Sequence, residues 1–312
     1  MGQIQEDTKS SIVIEKKDGK TNIILDASKI DLFQLCEMRY NIRYNLRRTL
    51  PANQRNSSLD MGTLGHVGME IYYSLLKEGK HYNDRMHSTL LKIRSFASDP
   101  DQSNTNPDEI SLICNAVEQS CDYWRGEDEM MIIIAVETPF AYVLYEDEHI
   151  RIIISGKIDL LVNKPAFARN AGYENLPIDH KTQSRNFDAP RLSNQFINYC
   201  AATGSNYLFV NKIGLQKTLT PEQKFARVPF SYDPFIIQDW KDNITKMILG
   251  RYLECIATDE WTMNFTSCLK FNRLCEYYEV CDSSGQEAKL FKLENNYIEA
   301  EEWDVTKGLM NG

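Results

Sequence analysis

Between Met131 and Thr182 the spacing of apolar residues shortens from the period of a helix to that of a strand. The segments MIIIAVE, FAYVLYED, HIRIIIS, KIDLLV and NLPIDHKT are β-rich and parted by turn-forming residues. Helical periodicity stands on both sides. Before the run come SKIDLFQLCEMRYNIRYNLRR from Ser28, with Ser28 as the expected N-cap, then LDMGTLGHVGMEIYYSLLKEG and DEISLICNAVEQSCDYWRG. After it come helical residues 190–203 and 233–256, with NYLFVNKIG and FARVPF as strands between them. Helices around a central set of strands predict an α/β or α+β chain built on one mixed sheet. SIVIEKKDGKTNIILD adds an N-terminal hairpin around KDGK. Its DGKT is no phosphate loop, because position 14 is Ile where that motif needs glycine.

The chain is long enough for a real core, with 312 residues of which 42% are hydrophobic. MGQIQEDTKSS lacks the apolar core of a signal peptide, and no run of about 18 apolar residues exists to span a bilayer. A soluble, cytoplasmic protein without a membrane partner is expected. The formal charge of -9 argues against indiscriminate coating of nucleic acid, though it leaves room for a local basic groove. Arg39, Arg43 and Arg47 recur every four residues and, with Arg48 beside them, offer either a phosphate-contacting stripe or a solvated helix face. The tail beyond Cys281 is acidic and reads as a solvated or partner-binding segment.

Chemistry is concentrated in GKIDLLV and PIDHKT. Side chains alternate along a strand, so Asp179 and Lys181 face one side and His180 the other. If the two segments pair, Asp159 reaches the same end of the sheet. Two converging carboxylates repel unless a cation lies between them, and oxygen ligands suit Mg²⁺ or Mn²⁺. The alternative is an ordinary surface salt bridge. On the helix GTLGHVGMEIYY, His66 and Glu70 share a face, and Gly62, Gly65 and Gly68 suggest that another backbone or a substrate approaches closely. Gln195 and Tyr199 are likewise four apart on the helix after the lysine strand.

Taken in order, Gly62 to His66, Gly156 to Asp159, Asp179 to Thr182 and Gln195 to Tyr199 give G-x-x-x-H, G-x-x-D, D-x-K-T and Q-x-x-x-Y. This ordered set resembles the RecB-like branch of the PD-(D/E)XK nuclease superfamily. The resemblance implies a restriction-endonuclease-like core over residues 28–281, which leaves the hairpin-bearing stretch 1–27 as an extension and the acidic stretch 282–312 as a tail. It implies metal held by His66, Asp159, Asp179 and the backbone carbonyl of His180, Lys181 as catalytic lysine, and Gln195 and Tyr199 positioning substrate. Glu137 matches a supporting glutamate. The function implied is a Mg²⁺- or Mn²⁺-dependent deoxyribonuclease, an exonuclease by first expectation, acting on DNA in processing, repair or recombination with a helicase or recombination partner. The alternative is a catalytically silent nuclease-fold protein for DNA binding or assembly.

Cys268, Cys275 and Cys281 form C-x6-C-x5-C near one end of that region, and Cys36 stands alone near the other. By the same resemblance they would hold a [4Fe-4S] cluster, although four thiolates suit Zn²⁺ equally well. Cys114, Cys121, Cys200 and Cys255 lie in apolar helical stretches and are expected in the core. No C-x-x-C pair supports a thiol-exchange protein.

Overall fold

A computed structural model describes residues 14–17, 19–54, 57–100, 102–165, 172–183, 190–270 and 273–300. Residues 1–13 of the expected extension and 301–312 of the expected tail lie outside the described residues. The chain opens with β1 (Ile14–Lys17), β2 (Lys20–Asp26), α1 (Ala27–Leu35), α2 (Glu37–Tyr40), β3 (Arg48–Thr49), α3 (Ser57–Lys77), α4 (Tyr82–Ala97) and α5 (Pro107–Asp128). Then follow β4 (Ile132–Glu146), β5 (Ile150–Lys164), β6 (Tyr173–Gln183), α6 (Asn194–Thr203), β7 (Tyr207–Gly214), α7 (Pro221–Lys224) and β8 (Phe225–Ser231). It continues through α8 (Pro234–Met247), α9 (Leu253–Thr258), β9 (Leu269–Lys270), β10 (Arg273–Leu274), α10 (Tyr278–Cys281), α11 (Gln286–Asn296) and β11 (Ile298–Glu299). Two compact units result, one of Met1–Pro51, Ala141–Ser155 and Lys241–Gly312, the other of Ala52–Phe140 and Gly156–Trp240.

In the second unit the later half of β5 pairs antiparallel with β6, placing Leu160 opposite Ile178. β6 runs parallel to β7, and β7 antiparallel to β8, so the sheet is mixed as expected. Strands buried on both faces need apolar side chains throughout, and Leu160, Val162, Leu176 and Ile178 are fully buried. Helices α3, α4 and α5 close over them through Leu64, Tyr72, Ile93, Ile113 and Val117. The α4 helix has no counterpart in the sequence reading. Of the separators within 131–164, only residues 147–149 form a turn, with the Asp147 N–H donating to the Ile150 carbonyl at 2.9 Å. Strand β4 runs through Glu137 by putting that residue in the left-handed region, with φ 49°. Strand β5 runs through Gly156, where a Cβ would come within 2.6 Å of the Phe140 ring.

In the first unit β1 and β2 form the expected hairpin, with Gly19 at φ 80°. β2 then runs parallel to the first half of β5. Asp26, rather than Ser28, caps α1, its side chain accepting from Lys29 N at 2.8 Å. The single helix expected from Ser28 to Arg48 is broken at Cys36, which is extended at φ -166°. Glu37 takes up the redirected chain: its carboxylate accepts from Arg251 Nε and Nη2, the Thr262 N–H and the Thr262 hydroxyl. Arg39, Arg43 and Arg47 therefore do not form one helical stripe. Arg39 forks onto Glu276, and Arg47, itself left-handed at φ 53°, bonds the Ala300 carbonyl and pairs with Glu299. The tail is also folded rather than simply solvated as far as residue 300, since Leu293 and Tyr297 pack with Ile42, Tyr277 and Val280.

Candidate active site

Strand β6 supplies the first pair. Asp179 is completely buried, so its partnership with Lys181 is not a solvated surface pair. Lys181 Nζ lies 3.0 Å from either carboxylate oxygen and donates to Gln195 Oε1 at 3.0 Å. Gln195 Nε2 donates to the Tyr199 hydroxyl at 2.9 Å, and that hydroxyl donates to the Lys157 carbonyl at 2.8 Å. Gln195 and Tyr199, expected to position substrate, thus hold the lysine and tie α6 to β5. Tyr199 is buried, which favours this inward role.

His180 faces away as strand alternation requires. Its ring lies 5.4 Å from that of Tyr73 in a parallel stack, and its Nδ1 is 3.0 Å from Asn211 Nδ2. Burial pulls its pKa down to about 3, so the ring is neutral. Behind Tyr73, the buried Arg227 donates to the Tyr73 hydroxyl, to Asp128 at 2.5 Å and to Glu127 at 2.7 Å.

Asp159 comes from β5. Its Oδ2 accepts the His180 N–H at 2.9 Å and lies 3.2 Å from His66 Nδ1. His66 reaches it because α3 sits tightly on β6: a Cβ on Gly65 would lie 2.1 Å from Thr182 Oγ1. Gly68 is similarly crowded by Ile93, while Gly62 has open space and needs no packing explanation. Glu137 completes the group from β4 and is paired with Lys157. One ligand atom from each of His66, Glu137 and Asp159 lies within 4.8 Å of the others.

Burial and the neighbouring Asp159 push the Asp179 carboxyl up to about 7, against the pull of Lys181. Burial also opposes charge on Asp159, but the His66 contact outweighs it and holds this carboxyl low. Burial likewise disfavours charge on His66, and Asp159 more than offsets it, raising His66. Burial raises Glu137 despite Lys157. Asp179 Oδ2 is buried, and the Lys181 ammonium 3.0 Å away is the cation that faces it. The carboxylates of Glu137, Asp159 and Asp179 and the His66 imidazole, gathered at one largely buried place, are a donor set that fits a hard divalent cation.

His66 and Asp159, two of the expected ligands, lie in the gathered group. Glu137, read as supporting, belongs to the gathered group with His66 and Asp159, while Asp179 stands beside it with Lys181. From His180 the N–H holds Asp159. Lys157 was missed, although the alternation that singled out Asp179 and Lys181 puts it on the Asp159 face of β5.

The four remaining candidates, Cys36, Cys268, Cys275 and Cys281, all lie in the first unit. Among the described residues they are not gathered into a metal-ligand group. Cys275 and Cys281 both pack against the apolar cluster of Tyr277, Val280 and Leu293. Burial first, and then the thiolates of Cys275, Cys36 and Cys268, push Cys281 up to about 11. Cys114, Cys121, Cys200 and Cys255 are buried as expected.

Fold and site together describe a mixed α/β protein with acidic residues and a lysine converging at one end of paired strands. The chain belongs to the PD-(D/E)XK nuclease superfamily, whose family model matches residues 25–282. Members of this superfamily are typically nucleases that use divalent metals. A solved structure titled "Crystal structure of SSO0001" is similar over 69% of this chain and 85% of its own, with 12% identity and a TM-score of 0.28. No curated protein matches the chain. Among the described residues no helix is long and apolar enough to cross a membrane.

Proposed function

We propose that the protein is a Mg²⁺- or Mn²⁺-dependent deoxyribonuclease of RecB-like type that trims DNA from its ends during repair or recombination, in company with a helicase or recombination partner. The observation that carries this reading is the Lys181 ammonium, 3.0 Å from Asp179 and from Gln195, beside the group formed by His66, Glu137 and Asp159. A divalent cation held by His66, Glu137, Asp159 and Asp179 would activate water and stabilise the charged phosphate. Lys181 orients the attacking water or steadies the developing charge, Gln195 and Tyr199 fix Lys181, and the His180 N–H fixes Asp159. Residues 28–281 form the nuclease domain in this reading.

Cleavage of end-labelled and circular DNA, single- and double-stranded, with Mg²⁺ or Mn²⁺ tests it. Wild type should cut linear DNA, and Lys181→Ala should cut it about 10²- to 10³-fold more slowly. Equal activity in the two removes Lys181 from catalysis, and cutting of circles replaces the exonuclease assignment with an endonuclease. DNA binding by an inert wild type would instead favour the silent scaffold. Charge reversal at Arg43, which should weaken DNA binding, tests the strand-guiding role expected of the arginines.

The proposal extends to a structural metal at Cys36, Cys268, Cys275 and Cys281, as [4Fe-4S] or Zn²⁺. Its support is the shared surroundings of the four thiols around Cys281. The Asn264 N–H also lies 3.4 Å from Cys36 Sγ, and the Asn264 carbonyl is 3.8 Å from Cys268 Sγ. Iron, sulfide and zinc analysis of protein purified under argon decides between the metals, and a folded protein free of both overturns the assignment.

A further inference from the structure

The paired strands of the site carry two lysines. Strand β5 reads Lys157-Ile158-Asp159, and the antiparallel β6 reads Asp179-His180-Lys181. Each strand thus presents an acid and, two residues away, a lysine on the same side. Lys181 is bound on two sides, by Asp179 and Gln195. Lys157 is held differently. Its Nζ pairs with Glu137, its side chain is 44% exposed against 13% for Glu137, and its backbone is fixed by Tyr199. The run Lys181–Gln195–Tyr199–Lys157 therefore joins the two lysines across the site, leaving the Lys157 head as the more accessible cation.

Glu137 is claimed twice. It binds the Lys157 ammonium, and it also belongs to the group whose ligand atoms lie within 4.8 Å of one another. An ammonium and a divalent cation compete for the same carboxylate charge. We propose that Lys157 is an exchangeable phosphate-binding lysine: it neutralises Glu137 while the site lacks a cation. It turns on its flexible stem to a phosphate of the bound nucleic-acid strand when Glu137 takes a cation. Two features support the exchange. The Lys157 stem carries its charge at the end of four methylenes, long enough to change partners without moving β5. Glu137 is the more enclosed of the pair, its side chain 13% exposed against 44% for Lys157, which leaves Lys157 as the partner freer to move. The inference rests on the metal-dependent nuclease reading above and adds a residue to it.

The test is Mn²⁺ binding to the full chain without DNA, followed by calorimetry and by the electron paramagnetic resonance of free Mn²⁺. Lys157→Met should bind Mn²⁺ more tightly, by about two- to fivefold, the strength of a partly exposed ion pair. The same variant should bind DNA more weakly in Ca²⁺ and lose kcat/KM mainly through KM. Lys157→Gln serves as a second variant, and Glu137→Gln should erase the difference between wild type and Lys157→Met. Unchanged or weaker Mn²⁺ binding in both lysine variants, or unchanged DNA affinity, overturns the proposal. Failure of the underlying reading looks different: Mn²⁺ binding would then survive Asp159→Asn, whatever residue stands at 157.

Discussion

Gly65 and Thr182 are fitted to each other: a single carbon added to Gly65 would lie 2.1 Å from Thr182 Oγ1. That contact sets how closely the His66-bearing helix lies on the strand of Asp179 and Lys181. Gly65→Ala should therefore destabilise the protein by about 1–3 kcal/mol and reduce activity as His66 is pushed from Asp159. Thermal denaturation measures the first effect. Adding Thr182→Ala should recover much of the loss, whereas no recovery would place the clash elsewhere.

Lys181 and Gln195 act as a unit, so their effects should not add. Lys181→Ala should lower kcat about 10²- to 10³-fold, as expected for removing one preorganised charge. Gln195→Ala should cost less, about tenfold, because the lysine keeps Asp179. In the double variant the glutamine has nothing left to position, and kcat should match that of Lys181→Ala. Single-turnover rates with saturating cation measure these differences.

Asp179 gives the cation-free protein a pH dependence. Its carboxyl is raised from 3.8 to about 7, so the folded state binds this proton more tightly than the unfolded one. The resulting stability is fully present below the unfolded value and is lost as pH rises through about 7. With chelator present, Tm should fall across this interval through the Asp179 contribution, and Asp179→Asn should flatten the slope. Adding Mn²⁺ near pH 6 should release a proton, measurable by calorimetry in buffers of different ionisation enthalpy.

Behind the site, Arg227 and Asp128 expose only 3% and 1% of their side chains. Arg227→Met would leave the Asp128 charge buried without its main partner and should cost about 3–5 kcal/mol in urea denaturation. Asp128→Asn together with Arg227→Met should restore part of this. Because Arg227 also bonds Tyr73, against which His180 stacks, the single variant should reduce activity as well.

Period and order carried most of what the sequence made legible. The alternation in PIDHKT correctly separates His180 from Asp179 and Lys181, and the register of β5 with β6 brings Asp159 beside them. What escaped depended on contacts between distant segments. Glu137 looks like the edge of a turn because it precedes Thr138 and Pro139, yet β4 passes through it once its backbone turns left-handed. The arginine spacing is regular, but the break at Cys36 follows from Glu37 finding Arg251 and Thr262, more than 200 residues away. Helix α11 folds into the acidic tail because Leu293 and Tyr297 find apolar partners, which net charge does not foretell.

The left-handed backbone at Glu137 bears on how sequences of this kind diverge. A non-glycine residue held there costs on the order of 1 kcal/mol, a cost that glycine would avoid. Stability alone would favour glycine at this position, whereas the acid found there pairs with Lys157 and joins the gathered ligand group. Descendants that lose hydrolysis should drift to glycine or asparagine at this position before their buried β-strand residues change. A lineage that keeps an acid here after losing Lys181 would reveal a surviving use for the cation apart from cutting.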